Sequence, residues 1–293
     1  MASPRELRRR IKSITSTSQI TRAMQMVAAS KMRKAQQATL TTRPFGQLLY
    51  RIQRRATTHA GDFTHPLLEV REVRNRAVLL VGTDKGLCGA LNTNLFRVAA
   101  QFDPVTTVFI AVGKRAAQFI ARTRRQLAAE FTSTDSPRFP EARPIAAFAR
   151  DLFLRGEVDQ VQIVATRFIN TLTQQAGVVE FLPIGEIKAF KALSIPGAES
   201  EVGSAADTTE YLFEPNPEAV LSYLFGGYLN IYMYRVLLEA KASEQSARMV
   251  AMKNATDNAA DLIKDLTLNY NNLRQGNITK ELLEIAGGQA GND

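Results

Sequence analysis

From Tyr228 to Gln275 the chain runs 48 residues without a Gly or a Pro, and Ala, Leu, Met, Lys, Glu and Gln are frequent along the way. Propensity and the lack of breakers predict one continuous helix, roughly 70 Å long at about 1.5 Å per residue. Its second half carries a regular seam: Met249, Met252, Thr256, Ala259, Ile263, Leu266, Tyr270 and Leu273. The steps alternate between three and four, the a/d spacing of a left-handed coiled coil. A helix this long overruns any compact core and needs a partner helix.

The opposite end of the chain supplies the partner. Ser3-Pro4-Arg5-Glu6 combines a capping box with Pro at the first helical position, and no Gly or Pro follows until Pro44, which is expected to end the helix. One stripe in the same register runs through Leu7, Ile11, Ile14, Ser18, Thr21, Gln25, Ala28, Met32 and Ala35. A second stripe, Ile20, Met24 and Val27, lies on another face. Two stripes suit a helix that touches its partner and something else; a plain helical bundle is the simpler alternative.

Ten of the eleven Pro residues fall from Pro44 to Pro217, so the middle of the chain differs in character from its ends. Arg76–Gly82, Val105–Val112 and Val158–Arg167 are β-branched runs of strand length. Helical stretches over Leu91–Gln101, Lys114–Thr123 and Ala142–Arg155 alternate with them. This order predicts βαβ units and a mainly parallel, doubly wound sheet. Val178–Leu193 reads as a further edge strand, Glu199–Thr209 as a mobile connector, and Asn216-Pro217-Glu218 as the cap of the last helix. The expected fold is α/β: a long antiparallel coiled coil of the terminal helices, residues 1–58 and 210–286, plus a central Rossmann-like α/β domain over 75–195.

Charge is uneven. Residues 1–55 hold thirteen Lys and Arg against Glu6, a balance of +12; the chain as a whole is +9, and +9 less +12 leaves −3 for the remainder. A basic stripe can meet nucleic acid, an acidic membrane surface or an acidic protein. The lack of aromatics before Phe45 weakens the nucleic-acid reading, and a solvated basic face is the plain alternative. No apolar run approaches the ~18–20 residues of a membrane span. The single Cys rules out an internal disulfide and fits a reducing compartment. His59 and His65 have no metal-ligand spacing around them and read as solvated loop residues.

The loop Gly82–Gly89 follows a strand and precedes a helix, where backbone N–H groups can cradle a phosphate. Its glycines give G-x-x-x-G-x-x-G, and Lys85 precedes the second Gly, so neither the Rossmann nor the Walker pattern is met. A tight turn with Cys88 packed at the helix start is the better reading. Cys88 has no His near it in sequence, and no acid–base constellation stands out, so a catalytic centre, cofactor or metal is not expected.

Four segments carry a family resemblance: Ile20–Lys34 (ITRAMQMVAASKMRK), Thr83–Phe96 (TDKGLCGALNTNLF), Tyr211–Pro217 (YLFEPNP) and Leu237–Leu268 (LLEAKASEQSARMVAMKNATDNAADLIKDLTL). With Ile278–Glu284 (ITKELLE) they closely resemble the gamma subunit of F-type ATP synthase, in the family's order, from about Arg5 to Gly288. Departures are small: Gln289 replaces a small residue, and Gly226-Gly227 interrupts the start of the last helix. The resemblance implies a non-catalytic rotor shaft that couples proton-driven c-ring rotation to the beta-subunit sites. It implies as partners the alpha and beta subunits of the catalytic hexamer, the epsilon subunit and the c-subunit ring, with no nucleic acid and no direct membrane insertion. It places Met24 near an acidic beta segment, with Arg22, Lys31, Arg33 and Lys34 as basic neighbours. Arg274, Gln275 and Thr279 match the upper contact with beta, and Arg43 and Tyr211 match the foot near epsilon and the c ring. The absence of a transit peptide and of a redox cysteine insertion suggests a bacterial chain, peripheral on the cytoplasmic face of the inner membrane. A basic-helix nucleic-acid-binding protein with an α/β domain is the alternative.

Overall fold

A computed structural model describes residues 3–59, 65–184, 214 and 216–289. The elements run in the order α1 (Pro4–His59), β1 (Arg76–Val81), α2 (Leu91–Ala99), β2 (Thr107–Val112), α3 (Lys114–Arg122), β3 (Gln126–Phe131), α4 (Phe139–Leu154), β4 (Gln160–Phe168), β5 (Gln174–Leu182) and α5 (Pro217–Gln289). The chain divides into two compact units, residues 1–27 with 249–293, and residues 28–248. Among the described residues no helix is long and apolar enough to cross a membrane.

The first unit is an antiparallel helix pair. Arg8 donates to the Tyr270 hydroxyl at 3.0 Å, and the hydroxyls of Thr21 and Thr256 lie 2.7 Å apart. Thirteen residues on α1 thus match fourteen on α5, so the two helices stay in phase. Every seam position from Met249 to Leu273 is buried or half-buried, as is every position of the main α1 stripe from Leu7 to Ala35. The second stripe behaves differently: Ile20 and Val27 are exposed, and Met24 is half-buried. Ser3 caps α1 by accepting from the Glu6 N–H, while the Glu6 carboxylate pairs with Arg10 and does not close the box.

The second unit is a five-stranded sheet of order β3-β2-β1-β4-β5, parallel except for the antiparallel edge strand β5. One face packs Val78, Leu80, Phe109 and Ala111 against Leu95 of α2 and Ile120 of α3. The other packs Leu79, Val81, Ile110 and Ile163 against α4 and against Leu221–Leu237 of α5. The alternation along β1 and β2 sends successive side chains to opposite cores, as a sheet covered on both faces requires. Gly113, at φ +95°, opens α3, and a Cβ there would sit 2.8 Å from the Gly82 carbonyl oxygen. Only glycine fits that crossing of β1 and β2.

Several expectations need correction. Helix α1 does not stop at Pro44. The carbonyl that Pro44 leaves without its usual donor is that of Leu40, an exposed position where solvent can satisfy it. Gly226-Gly227 does not interrupt α5, because Leu221, Phe225, Leu229 and Met233 bury this stretch against the sheet and outweigh about 1 kcal/mol of propensity per Gly. Strand β3, sequence QLAAEF, has no β-branched residue and lies mostly exposed at an edge, so its pattern gave no strand signal. The last strand begins four residues earlier than expected, at Gln174, and ends at Leu182. His59 ends α1 and is not in a loop. His65 caps a short 3-10 turn, its Nδ1 accepting from the Leu67 N–H at 3.2 Å, and burial lowers its pKa. The connector Glu199–Thr209, the stretch of the expected strand beyond Ile184, and Tyr211 lie outside the described residues.

Ala259 is buried in the seam of the helix pair. Ala259→Phe is expected to overpack it and cost on the order of 1–3 kcal/mol, read as a lower denaturant midpoint for the full-length chain. An unchanged midpoint contradicts a close approach at this position.

Candidate functional site

The turn of α5 between Glu239 and Arg248 is the most unusual stretch of the second unit. Glu239, Lys241, Ser243, Glu244, Gln245, Ser246 and Arg248 are all buried. Charged groups are rarely buried without partners, and here the partners come from two directions. At spacing i, i+4, i+7 one face reaches the β4–β5 hairpin. Glu239 Oε1 accepts from the Phe168 N–H at 3.2 Å, Ser243 donates to the Thr166 carbonyl at 3.2 Å, and Ser246 donates to the Thr171 carbonyl at 2.7 Å. The adjacent face, Lys241, Glu244 and Arg248, turns to the loop after β1.

Glu244 sits between two cations, 3.0 Å from Lys241 Nζ and 2.8 Å from Arg248. Lys241 also lies 4.0 Å from Asp84. The Arg248 guanidinium donates to the Gly86 carbonyl at 3.2 Å and the Lys85 carbonyl at 3.4 Å. Strand order reverses between β1 and β4, and doubly wound sheets take their ligands at that point. Here the loop turns carbonyl oxygens toward an internal cation, the reverse of the N–H cradle an anion needs. The start of α3 is occupied as well, because Asp84 accepts from the Lys114 N–H at 3.0 Å.

Cys88 is buried in the same loop, and burial raises its pKa. The Asn92 side chain donates both to Cys88 Sγ, at 3.4 Å, and to the Thr83 hydroxyl, at 2.8 Å. This is the environment of a packed thiol, not of an activated nucleophile. On α1, Lys31 pairs with Asp135 at 2.6 Å, and that bond holds the Asp135 carboxyl below its usual range. Lys85 stands 3.6 Å from the same carboxylate.

The residues that the resemblance singled out are placed differently. Arg33 and Lys34 are exposed on α1, in contrast to their neighbour Lys31, and Arg22 is exposed as well. Met24 is half-buried in the helix pair. Arg274, Gln275 and Thr279 are exposed on α5, where the Thr279 hydroxyl donates to the Gln275 carbonyl at 2.9 Å. Thr256, opposite Thr21, is 18 residues from Arg274, about 27 Å along a helix. Met24 and Arg274 therefore belong to separate zones of the pair. Arg43 lies within α1, and Tyr211 is outside the described residues. The buried stretch 239–248 went unread as a site. Its signal was present as charges set among small residues (Ala240, Ala242, Ser243, Ser246, Ala247) immediately before the apolar seam begins.

The same fold occurs in a chain of the Euglena gracilis mitochondrial ATP synthase rotor, with TM-score 0.64 at 20% identity over 94% of this chain and 98% of that one. A chain in another rotational state of the same assembly gives TM-score 0.69 at 21% identity, over 98% and 94%. At these identities the likeness is one of fold. Residues 3–291 match the ATP synthase family profile. The ATP synthase gamma chain of Opitutus terrae is 46% identical over 99% of this chain and 98% of its own length. That of Methylacidiphilum infernorum is 41% identical over 99% of each. The chain belongs to the ATP synthase gamma chain family.

Two measurements test the buried stretch. Glu244→Gln leaves Lys241 and Arg248 without their carboxylate and is expected to cost about 3–5 kcal/mol in denaturant unfolding; a loss below ~1 kcal/mol contradicts the pairing. Burial pushes Glu239 up from an ordinary 4.5 to about 7. Between those values the folded chain keeps a proton that the unfolded chain has lost, so this group's effect on stability becomes less favourable as pH rises through the window. Glu239→Gln removes the titration. Its stability relative to the parent is expected to climb by on the order of 2–3 kcal/mol from pH 5 to pH 8, and a flat difference contradicts the assignment.

Proposed function

We infer that this chain is the central rotor shaft of an F-type ATP synthase, carrying proton-driven rotation of the c-subunit ring to the catalytic sites of the beta subunits without catalysing a step itself. The observation that supports it most is the near-full-length match to gamma chains together with a helix pair whose second apolar face is uncovered. Ile20, Met26 and Val27 on α1 and Ile278, Leu282 and Leu283 on α5 are all exposed. Apolar faces on an otherwise well-packed helix pair suit a surrounding sleeve of protein. In this reading the sleeve is the alpha–beta hexamer, residues 1–58 with 210–286 form the shaft, and 75–195 form the flanking α/β domain.

A rotor changes its surroundings only if each orientation interacts differently with them. The exposed cations suit that role. Arg33 and Lys34, with Met24 on the same helix, face an acidic beta segment at one level of the shaft. Arg274, Gln275 and Thr279 meet beta loops at another. Arg presents a rigid fork that matches a carboxylate, and Gln both donates and accepts. Arg43 and Tyr211 belong to the foot, beside the epsilon subunit and the c ring. The chain then stands as a peripheral subunit on the cytoplasmic face of the bacterial inner membrane.

Hydrogen bonds to a charged group contribute roughly 1.5–3 kcal/mol each, enough to bias one beta conformation tenfold or more. Arg274→Ala combined with Gln275→Ala is expected to leave assembly with the alpha–beta hexamer intact. Steady ATP hydrolysis and synthesis by the assembled complex should fall several-fold. Normal turnover and coupling in the assembled double variant would remove these residues from torque transfer. Failure of the unmodified chain to assemble would remove the rotor reading itself.

A further inference from the structure

Helix α5 outruns its partner. Thr21 and Thr256 stand opposite each other, their hydroxyls 2.7 Å apart. Ser3 lies 18 residues before Thr21, and Arg274 lies 18 residues after Thr256, so the two are level on the pair. Helix α1 begins at that level, because the Ser3 hydroxyl caps it by accepting from the Glu6 N–H. Helix α5 continues from Arg274 to Gln289, about 22 Å further. Burial changes at the same place: Tyr270, Asn271 and Leu273 are half-buried, while every residue from Arg274 to Lys280 is exposed.

The residues just past this boundary are poor helix formers. Gly276, Asn277, Ile278 and Thr279 follow one another, and each ranks below Ala, Leu, Lys, Glu and Gln in propensity. A Cβ built on Gly276 would meet nothing within 4 Å, so no neighbour demands a glycine there. What the glycine contributes is a looser backbone. The Thr279 hydroxyl donates to the Gln275 carbonyl at 2.9 Å, across Gly276. That carbonyl is the one the Thr279 N–H uses in an α-helix, and such back-bonding weakens and bends helices. Beyond Thr279 the sequence Lys280-Glu281-Leu282-Leu283-Glu284 returns to strong helix formers.

A soft stretch thus sits between two firm ones, at the point where the partner helix stops. Helices in proteins draw most of their stability from packing. Gly226 and Gly227 have the same open space around them, but Leu221, Phe225 and Leu229 hold that part of α5 against the sheet. Gly276 has no such support from α1. We propose that residues 276–279 form a joint in α5, where the helix opens and bends so that the tip from Lys280 onward moves independently of the helix pair. The joint belongs to the chain itself and holds whether or not the chain is a rotor. In the rotor reading it divides the residues that meet beta: Arg274 and Gln275 stand on the paired side, and Thr279 belongs to the joint.

The test is amide hydrogen exchange of the full-length chain, read by mass spectrometry in peptides covering residues 256–270 and 276–284. Exchange is expected to step up at Gly276, and not to rise gradually toward the end of the helix. Gly276→Ala removes the backbone freedom without meeting a neighbour. It should slow exchange over 276–284 about fivefold, from the difference in propensity between Gly and Ala, and leave 256–270 within about twofold of the parent. Thr279→Ala, which removes the back-bond, should slow the same peptide further when added to Gly276→Ala. Equal exchange on both sides of Gly276 overturns the proposal, as does a gradual rise toward Gln289. So does a Gly276→Ala variant that exchanges like the parent.

Discussion

Arg248 holds two loop carbonyls, Lys85 and Gly86, while Glu244 holds Arg248 and Lys241. Most of the second unit depends on that buried polar turn of α5. Three ions placed out of water are stable only as a set, because any one removed leaves its partners buried and uncompensated. The set therefore fixes the rotation of α5 about its own axis relative to the sheet. Apolar packing by Leu221–Leu237 would tolerate a small twist of the helix; the polar contacts to the β1 loop and the β4–β5 hairpin do not.

The same turn explains why a doubly wound sheet is present without the usual glycine pattern. The switch point between β1 and β4 meets the chain's own groups: Arg248 on the loop carbonyls and Asp84 at the start of α3. Gly113 is required there for backbone clearance beside Gly82. Gly82 and Gly113 answer to close packing there, and Gly89 to its positive φ of 59°.

Much of this was legible in the residues. The three–four alternation from Met249 to Leu273 marked the inward face of α5 position by position, and the stripe from Leu7 to Ala35 did the same for α1. The β-branched runs located β1, β2 and β4 within a residue or two at most ends. What escaped was governed by tertiary context. QLAAEF becomes a strand because β2 offers it an edge, and no local preference announces that. Gly226-Gly227 stays helical because its neighbours are buried against the sheet. The partners of the stretch Glu239–Arg248 come from the β4–β5 hairpin and the β1 loop, distant in sequence, so its burial has no local signal of helical period. The resemblance named exposed residues such as Arg274 that no burial or hydrogen bond among the described residues singles out.

If the chain is the rotor shaft proposed above, its α/β domain must turn while the alpha–beta hexamer hydrolyses ATP. The most direct measurement attaches a bead to the α/β domain through a cysteine introduced at exposed Val105, with the alpha–beta hexamer of the assembled complex fixed to glass. Under ATP the bead is predicted to rotate in one direction, at a rate that tracks hydrolysis in bulk. A bead that stays fixed or only fluctuates while ATP is being hydrolysed would contradict the account.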